Sequence, residues 1–132
     1  MVFDDVNGRY LVSDVSAQVI FAIDPTSGAR SVFADVQAQM TNPQRIALDR
    51  AGNRLLLLDS DDLYGYNLTT GAMTIVSDNA TPSLENRFVS PRDMTIDAAR
   101  NRALVIDEAW GGVLAVDLTT GARTVLSVGV ER

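Results

Sequence analysis

The sequence has neither cysteine nor histidine among its 132 residues. The absence of cysteine excludes disulfides, thiolate zinc sites and cysteine nucleophiles built by this chain. The absence of histidine removes the most common general base and the most common metal ligand. Serine–histidine triads and histidine-bearing metal sites are therefore excluded for this chain, and we assign no catalytic residue.

Lysine is missing as well, so all 11 basic residues are arginine, against 17 acidic residues and a formal net charge of −6. A negative surface repels phosphates, so nucleic acid is not expected as a partner. No apolar run approaches the 18 or so residues of a membrane span, and residues 1–5 carry no basic region before an apolar core. We expect a soluble protein without membrane association or secretory signal, and its compartment stays open.

An internal repeat organises the chain. Three segments read Asp, four residues, Arg, four residues, Asp: they are 4–14, 49–59 and 97–107. Their arginines, Arg9, Arg54 and Arg102, are 45 and 48 residues apart in the numbering. A period near 45 residues is typical of the blades of a β-propeller. The matching acidic residues predict that each arginine pairs with an aspartate of its own hairpin.

The strand composition indicates stacked sheets. Leu55–Leu58 and Ala103–Ile106 are apolar at every position, which predicts strands covered on both faces. Blades of a propeller are covered in this way, whereas the strands of a sandwich should alternate. Turn residues such as Asn7-Gly8 and Gly52-Asn53 separate four short strands per repeat. We predict an all-β fold, a β-propeller of three four-stranded antiparallel blades in one domain, residues 1–132.

The three predicted blades cover about 1–35, 44–78 and 92–128. Propellers usually have four to eight blades, and six is the only multiple of three in that range. A half-ring would leave one apolar face of the first blade and one of the third in water. We therefore predict a homodimer in which two chains complete a six-bladed ring. The alternative is a fragment of a longer six-bladed protein, which the sequence does not distinguish.

The repeat resembles a known family. Pro43–Asp49 and Pro91–Asp97 resemble the innermost strand of NHL-type repeats, and Arg102–Asp107 followed by Val113–Asp117 resembles the next two strands. Gluconolactonase-like and strictosidine-synthase-like proteins share this likeness, which implies a six-bladed or similar propeller. Gluconolactonase-like enzymes hold a divalent metal through Glu, Asn and Asp, but their Glu-Gly-Pro opening is absent here. The resemblance implies the fold more than an activity.

The resemblance also implies a ligand-binding face, where the loop after the second strand and the loop between blades open. The candidate ligand-binding residues on this face are Asp61, Asp62, Glu108, Trp110, Arg45 and Arg92. The candidate metal ligands are Asp14, Asp59 and Asp107, since calcium takes six to eight oxygens, often from carboxylates. The alternative for these three aspartates, favoured by their recurrence in every blade, is that each braces its own turn through backbone N–H groups.

Trp110 has two interpretations: it stacks on a sugar or peptide, or it caps the third blade at the seam of the dimer. The longest connection, 79–91, is predicted to fold over the body of the protein through Leu84 and Phe88. For function we favour a non-catalytic binding or scaffold propeller for a protein, peptide or glycan, with no cofactor. The alternative is a calcium-dependent, lactonase-like hydrolase with a carboxylate site at the channel mouth.

Overall fold

The computed structural model describes residues 1–129, so the last three residues of the predicted domain lie outside the described part. Twelve strands and one short 3₁₀ helix occur within it. They are β1 (Val2–Asp4), β2 (Arg9–Asp14), β3 (Val19–Ile23), β4 (Arg30–Asp35), β5 (Arg45–Asp49), β6 (Arg54–Leu58), β7 (Asp62–Asn67), β8 (Met73–Asp78), β9 (Pro91–Asp97), the 3₁₀ helix (Ala98–Arg100), β10 (Arg102–Asp107), β11 (Gly112–Asp117) and β12 (Arg123–Val128). No helix between residues 1 and 129 is long and apolar enough to cross a membrane.

The strands form three antiparallel sheets of four, each built from consecutive strands. We call them blade 1 (β1–β4), blade 2 (β5–β8) and blade 3 (β9–β12). The pairing of the third strand with the fourth shifts register at the same place in every blade, between Ile20 and Phe21, Leu63 and Tyr64, and Val113 and Leu114. Such bulges add local twist to the outer edge of a sheet. The predicted all-β fold of three four-stranded blades is confirmed.

Strand β6 lies at the centre of the core. Leu55 and Leu57 belong to the apolar cluster shared with blade 1, whereas Leu56 and Leu58 belong to the cluster shared with blade 3. All four leucines are fully buried. Because successive side chains of a strand point to opposite faces, an apolar run satisfies both neighbours at once. Each fully buried leucine contributes about 1.5–3 kcal/mol relative to an exposed one, so β6 joins the three blades.

The recurring arginines pair with the recurring aspartates, as predicted. The Nε–carboxylate distances are 2.9 Å for Arg9–Asp4, 2.8 Å for Arg54–Asp49 and 3.0 Å for Arg102–Asp97. Each pair joins directly opposed residues of the first and second strands of its blade. Arg54 reaches further, and its terminal nitrogen donates a hydrogen bond of 2.8 Å to the carbonyl oxygen of Leu118 in blade 3. This arginine therefore holds its own hairpin and the neighbouring blade.

Candidate functional site

The innermost strands of the blades, β1, β5 and β9, lie side by side. They surround a cavity of about 470 Å³ that follows β5 over Arg45–Leu48 and β9 over Asp93–Ile96, with Met1 and Val2 on the third side. The wall is the one expected for half of a propeller channel. A ligand in this channel would contact one strand from each blade.

A second cavity of about 460 Å³ opens at one end of this channel. It is lined by Val15, Asn42, Gln44, Arg45, Arg92 and Glu108. We call it the mouth cavity. Arg45 borders both the channel and the mouth cavity, so the two spaces are continuous at this side chain. The structure thus brings together three of the predicted ligand-binding residues, namely Arg45, Arg92 and Glu108.

Chain topology explains why these side chains meet. Arg45 and Arg92 stand at the start of innermost strands, whereas Glu108 directly follows the second strand of blade 3. In an antiparallel blade the start of the first strand and the end of the second lie at the same end of the sheet. Val15 follows the second strand of blade 1 in the same way. The mouth cavity is therefore lined by residues from the same end of all three stacked blades.

Two exposed ion pairs set the electrostatics of the mouth. Arg45 Nε lies 3.5 Å from Asp93, and Arg92 Nε lies 2.9 Å from Glu108. All four side chains are about half exposed or more, between 52% and 63%. Surface pairs of this kind contribute about 0–1 kcal/mol, because water screens the charges and both side chains lose freedom. The two guanidinium groups can therefore exchange these partners for a ligand at small cost.

Sequence reasoning did not select Asn42 and Gln44 as site residues. They lie in the linker between blades 1 and 2, immediately around Pro43, and no repeat or spacing marks them. The sequence offered one signal for them, namely that both lie just before an innermost strand, because Arg45 was predicted from this same part of the chain. Together they add amide donors and acceptors to the two arginines of the mouth cavity.

Asp61 and Asp62 are not among the residues that line the mouth cavity. They occupy the β6–β7 hairpin of blade 2. Burial, with the neighbouring negative charges of Asp61, Asp78 and Asp59, raises the pKa of Asp62 to about 6. This hairpin is an acidic surface rather than an arginine-lined one, and neither aspartate lines the mouth cavity.

The three recurrent aspartates proposed as metal ligands each accept hydrogen bonds from backbone N–H groups. Asp14 accepts one from Ala17 at 2.9 Å, and Asp59 accepts one from Thr41 at 3.2 Å. For Asp107 the donors are the N–H groups of 89, 90 and 109, at 2.9 to 3.0 Å. The bonds of Asp14 and of Asp107 with residue 109 lie within the aspartate's own turn, whereas the donors at 41, 89 and 90 belong to the loops between blades. Within residues 1–129, no group of three or more acidic side chains is placed to hold a metal ion.

Trp110 makes a contact that neither interpretation of it included. Its indole N–H donates a hydrogen bond of 2.8 Å to the carbonyl oxygen of Arg87, and its ring packs on the core between blades 2 and 3. Phe88, the next residue of the long connection, is buried in the same core, whereas Leu84 is exposed. The connection does fold over the body of the protein, as predicted, but of the two residues named for this role only Phe88 is buried.

Arg123 organises this connection, which the sequence did not indicate. Its side chain is buried and donates hydrogen bonds to backbone carbonyl oxygens of the loop. The acceptors are Asp78, Thr81, Ser83, Glu85 and Asn86. Burial lowers the pKa of Arg123 below its ordinary value. One arginine of blade 3 thereby fixes the path of a loop that begins in blade 2.

Known structures settle the architecture. The chain superposes on the crystal structure of a Nidogen/Laminin complex with a TM-score of 0.74 and 20% identity, over 96% of this chain and 46% of that one. The fold is that of a β-propeller. An auxiliary nutrient-binding protein from Bacteroides thetaiotaomicron (TM-score 0.60, 15% identity, 93% of this chain, 34% of that one) is also similar. So is a putative 6-phosphogluconolactonase from Bacteroides fragilis (TM-score 0.58, 19% identity, 96% of this chain, 36% of that one).

The chain spans less than half the length of each of these three propeller structures. At identities of 20% or less, the likeness shows the fold alone. The sequence matches no protein-family model and no curated protein.

Proposed function

We propose that this propeller is a non-catalytic binding module whose mouth cavity takes an acidic peptide segment of a partner protein. The observation that carries the proposal is the pair of exposed arginines in one cavity with two amide side chains. Guanidinium groups bind carboxylates in a bidentate geometry, which gives direction as well as affinity. Asn42 and Gln44 supply groups that pair with the N–H and C=O of a peptide backbone.

The existing contacts of the two arginines leave room for such a ligand. Among the described contacts, Arg92 pairs through Nε alone, so its terminal nitrogens remain for a second carboxylate. Arg45 donates one terminal nitrogen to the carbonyl oxygen of Gln44 and holds Asp93 at 3.5 Å. A peptide carboxylate that replaces Asp93 beside Arg45, or Glu108 beside Arg92, would accept hydrogen bonds from the nitrogens of that guanidinium group.

Two structural neighbours support a binding role. One was solved as a Nidogen/Laminin complex, and another is described as a nutrient-binding protein. The predicted resemblance to NHL-type repeats is in keeping with a protein or peptide ligand, and the first neighbour favours this class over a glycan. The absence of histidine and cysteine from the sequence leaves out the most common catalytic side chains.

The alternative proposal is a calcium-dependent, lactonase-like hydrolase that uses Asp61, Asp62 and the other carboxylates of the open face. Two neighbours described as putative 6-phosphogluconolactonases share the fold at 19% and 15% identity. The described residues do not fit a calcium centre, because their recurrent aspartates are engaged with backbone N–H groups and no three of their acidic side chains are placed to hold a metal ion. Calcium-dependent stabilisation that Asp61→Asn removes would favour this alternative.

The peptide proposal is tested with two fluorescein-labelled random dodecapeptide pools that differ only in a central Glu or Gln. Fluorescence anisotropy should show that the Glu pool binds the wild type at least about tenfold more tightly, because one charge-assisted contact contributes about 1.5–3 kcal/mol. Arg92→Ala and Arg45→Ala should each remove this preference. Arg87→Ala, which deletes the same charge from the exposed loop outside the mouth cavity, should retain it. Equal binding of the two pools to the wild type would refute the proposal.

A further inference from the structure

The open face of blade 3 repeats the face of blade 2 that blade 3 covers. Strand register places Leu104, Ile106 and Val113 at the positions that Leu56, Leu58 and Leu63 occupy in blade 2. The three leucines of blade 2 are fully buried, whereas Ile106 is 48% exposed. Leu104, Ile106 and Val113 line an apolar cavity of about 190 Å³. Blade 3 thus keeps apolar residues at the positions that would contact a further blade, although no blade within residues 1–129 covers them.

The open face of blade 1 repeats the opposite face of blade 2. Tyr10, Val12, Phe21 and Ile23 stand at the positions of Leu55, Leu57, Tyr64 and Tyr66, which pack against blade 1. Phe3 packs on Tyr10 with its ring centre 5.3 Å away, and Phe3 is 52% exposed. An aromatic, uncovered sheet face of this kind marks a surface that another molecule covers.

Blade 3 repeats the arginine that makes a polar contact between blades 2 and 3. Arg54 binds Asp49 through Nε and donates its terminal nitrogen to the Leu118 carbonyl oxygen of the next blade. Arg102 binds Asp97 in the same way through Nε, at 3.0 Å. The blade 1 residue equivalent to Leu118 is Pro25, which follows the aspartate of the same turn and is exposed. Arg102 is therefore placed to donate to the Pro25 carbonyl oxygen of another copy.

The charged contact between blades 1 and 2 has only a partial counterpart on the two open faces. Across blades 1 and 2, Arg50 of the later blade contacts Asp4 and Asp5 of the earlier one. In the repeat, Asp5 is the residue that stands at the position of Arg50. In blade 3 the positions of Asp4 and Asp5 are held by Asp97 and Ala98, so the repeat places Asp5 of another copy near Asp97. Arg100, 67% exposed and 3.2 Å from Asp97, lies beside this position and can offset the repulsion between the two carboxylates.

From these matches we infer that a second copy of this chain covers both open faces, blade 1 on blade 3 of the partner and blade 3 on its blade 1. Two identical head-to-tail contacts close a six-bladed ring about a two-fold axis. The repeat itself argues for this occupant, because each open face carries the residues that already receive a blade inside the chain. The inference goes beyond the peptide site and does not depend on it, although closure places two mouth cavities around one channel.

The first experiment is light scattering after size exclusion, over a dilution series of the whole chain. We expect about twice the chain mass of 14.2 kDa. A monomer at all concentrations would overturn the inference, and so would an open series of larger assemblies, because a head-to-tail contact that does not close produces fibres. Ile106→Asp should lower the mass to that of a monomer. Leu84→Asp, a control at another exposed apolar residue, should stay dimeric.

A mixing experiment separates loss of assembly from loss of folding. Val12→Arg alone should also be monomeric, because it places a charge on the other open face. An equimolar mixture of Val12→Arg and Ile106→Asp chains should form a dimer, since one seam joins the two opposite charges and the other seam is unaltered. Circular dichroism checks that each single variant keeps its strands. A mixture that stays monomeric with both variants folded would contradict the head-to-tail arrangement.

Discussion

At the scale of single residues, Arg123 shows how one side chain can fix a segment distant in sequence. Within residues 1–129 its buried guanidinium forms no ion pair with a carboxylate, and it is satisfied by loop carbonyl oxygens together with the hydroxyl of Ser77. It also lies over the ring of Phe88, with 5.3 Å from Cζ to the ring centre. A buried charge of this kind is costly unless every donor is engaged, so the loop and the arginine stabilise each other.

Replacing Arg123 with methionine should therefore destabilise the protein by about 3–4 kcal/mol, because several partly buried carbonyl oxygens lose a charged donor. Arg30→Met is the matched control: Arg30 holds the equivalent position in blade 1, is exposed and lies over the Phe21 ring, and methionine itself stands there in blade 2. The control should cost at most about 0.5 kcal/mol. Urea unfolding measures both values, and limited proteolysis should cut the 79–90 loop in Arg123→Met alone. Equal effects of the two substitutions would contradict the role assigned to Arg123.

At the scale of the element, the turns between third and fourth strands have one local design and two environments. The side chain of Asp24 or Asp117 accepts two backbone N–H groups, and a glycine with positive φ ends the turn. Gly28 has φ +73° and Gly121 has φ +77°. A Cβ atom at Gly28 would meet nothing within 4 Å, whereas one at Gly121 would clash with the carbonyl oxygen of Val76 in blade 2.

The two glycines therefore separate backbone strain from packing between blades. Gly28→Ala should cost about 1 kcal/mol, from the left-handed conformation alone. Gly121→Ala should cost about 2 kcal/mol more, because blades 2 and 3 must move apart and Ser77 would lose its 2.7 Å hydrogen bond to the Gly121 carbonyl oxygen. Thermal or urea unfolding of both variants, each in the monomeric Ile106→Asp chain, gives the comparison, because in the inferred dimer the turn of Gly28 would face blade 3 of a second copy. A Gly28→Ala cost equal to that of Gly121→Ala would show that the turn does not support the neighbouring blade.

These elements also show what the sequence can predict. The apolar run of β6 and the fixed Asp–Arg spacing identified the blades, because local pattern and repeat both depend on strand pairing. Arg45 and Arg92 were accessible to the same reasoning through their position at the start of innermost strands. Asn42 and Gln44 carry no repeated signal, and the path of the long loop depends on Arg123, more than 30 residues away in sequence. Contacts between distant segments are what a pattern along one chain does not encode.

At the scale of the whole molecule, opposing pKa shifts give the folding stability an optimum in mildly acidic solution. Backbone N–H groups of Ser27 and Thr26 lower the pKa of Asp24 below 3.8, and those of Thr120 and Thr119 do the same for Asp117. A carboxyl with a lowered pKa stabilises the fold above about pH 4, and this contribution is lost as the pH falls through the folded pKa. Asp62 has the opposite effect on how folding stability depends on pH, since its pKa is raised to about 6.

Because the folded state holds the proton of Asp62 more tightly than the unfolded chain, its contribution is complete below pH 3.8 and is lost as the pH rises through about 6. Asp62→Asn should remove this decline and stabilise the protein at pH 7.5 by about 1 kcal/mol, a value below the full shift because solvent screens the hairpin. Glu85→Gln removes the same formal charge from the exposed loop and should follow the wild type. The measurement is the free energy of unfolding in urea from pH 3 to 8. If Asp62→Asn loses stability between pH 4.5 and 7.5 as steeply as the wild type, the acidic hairpin is not the source of the decline.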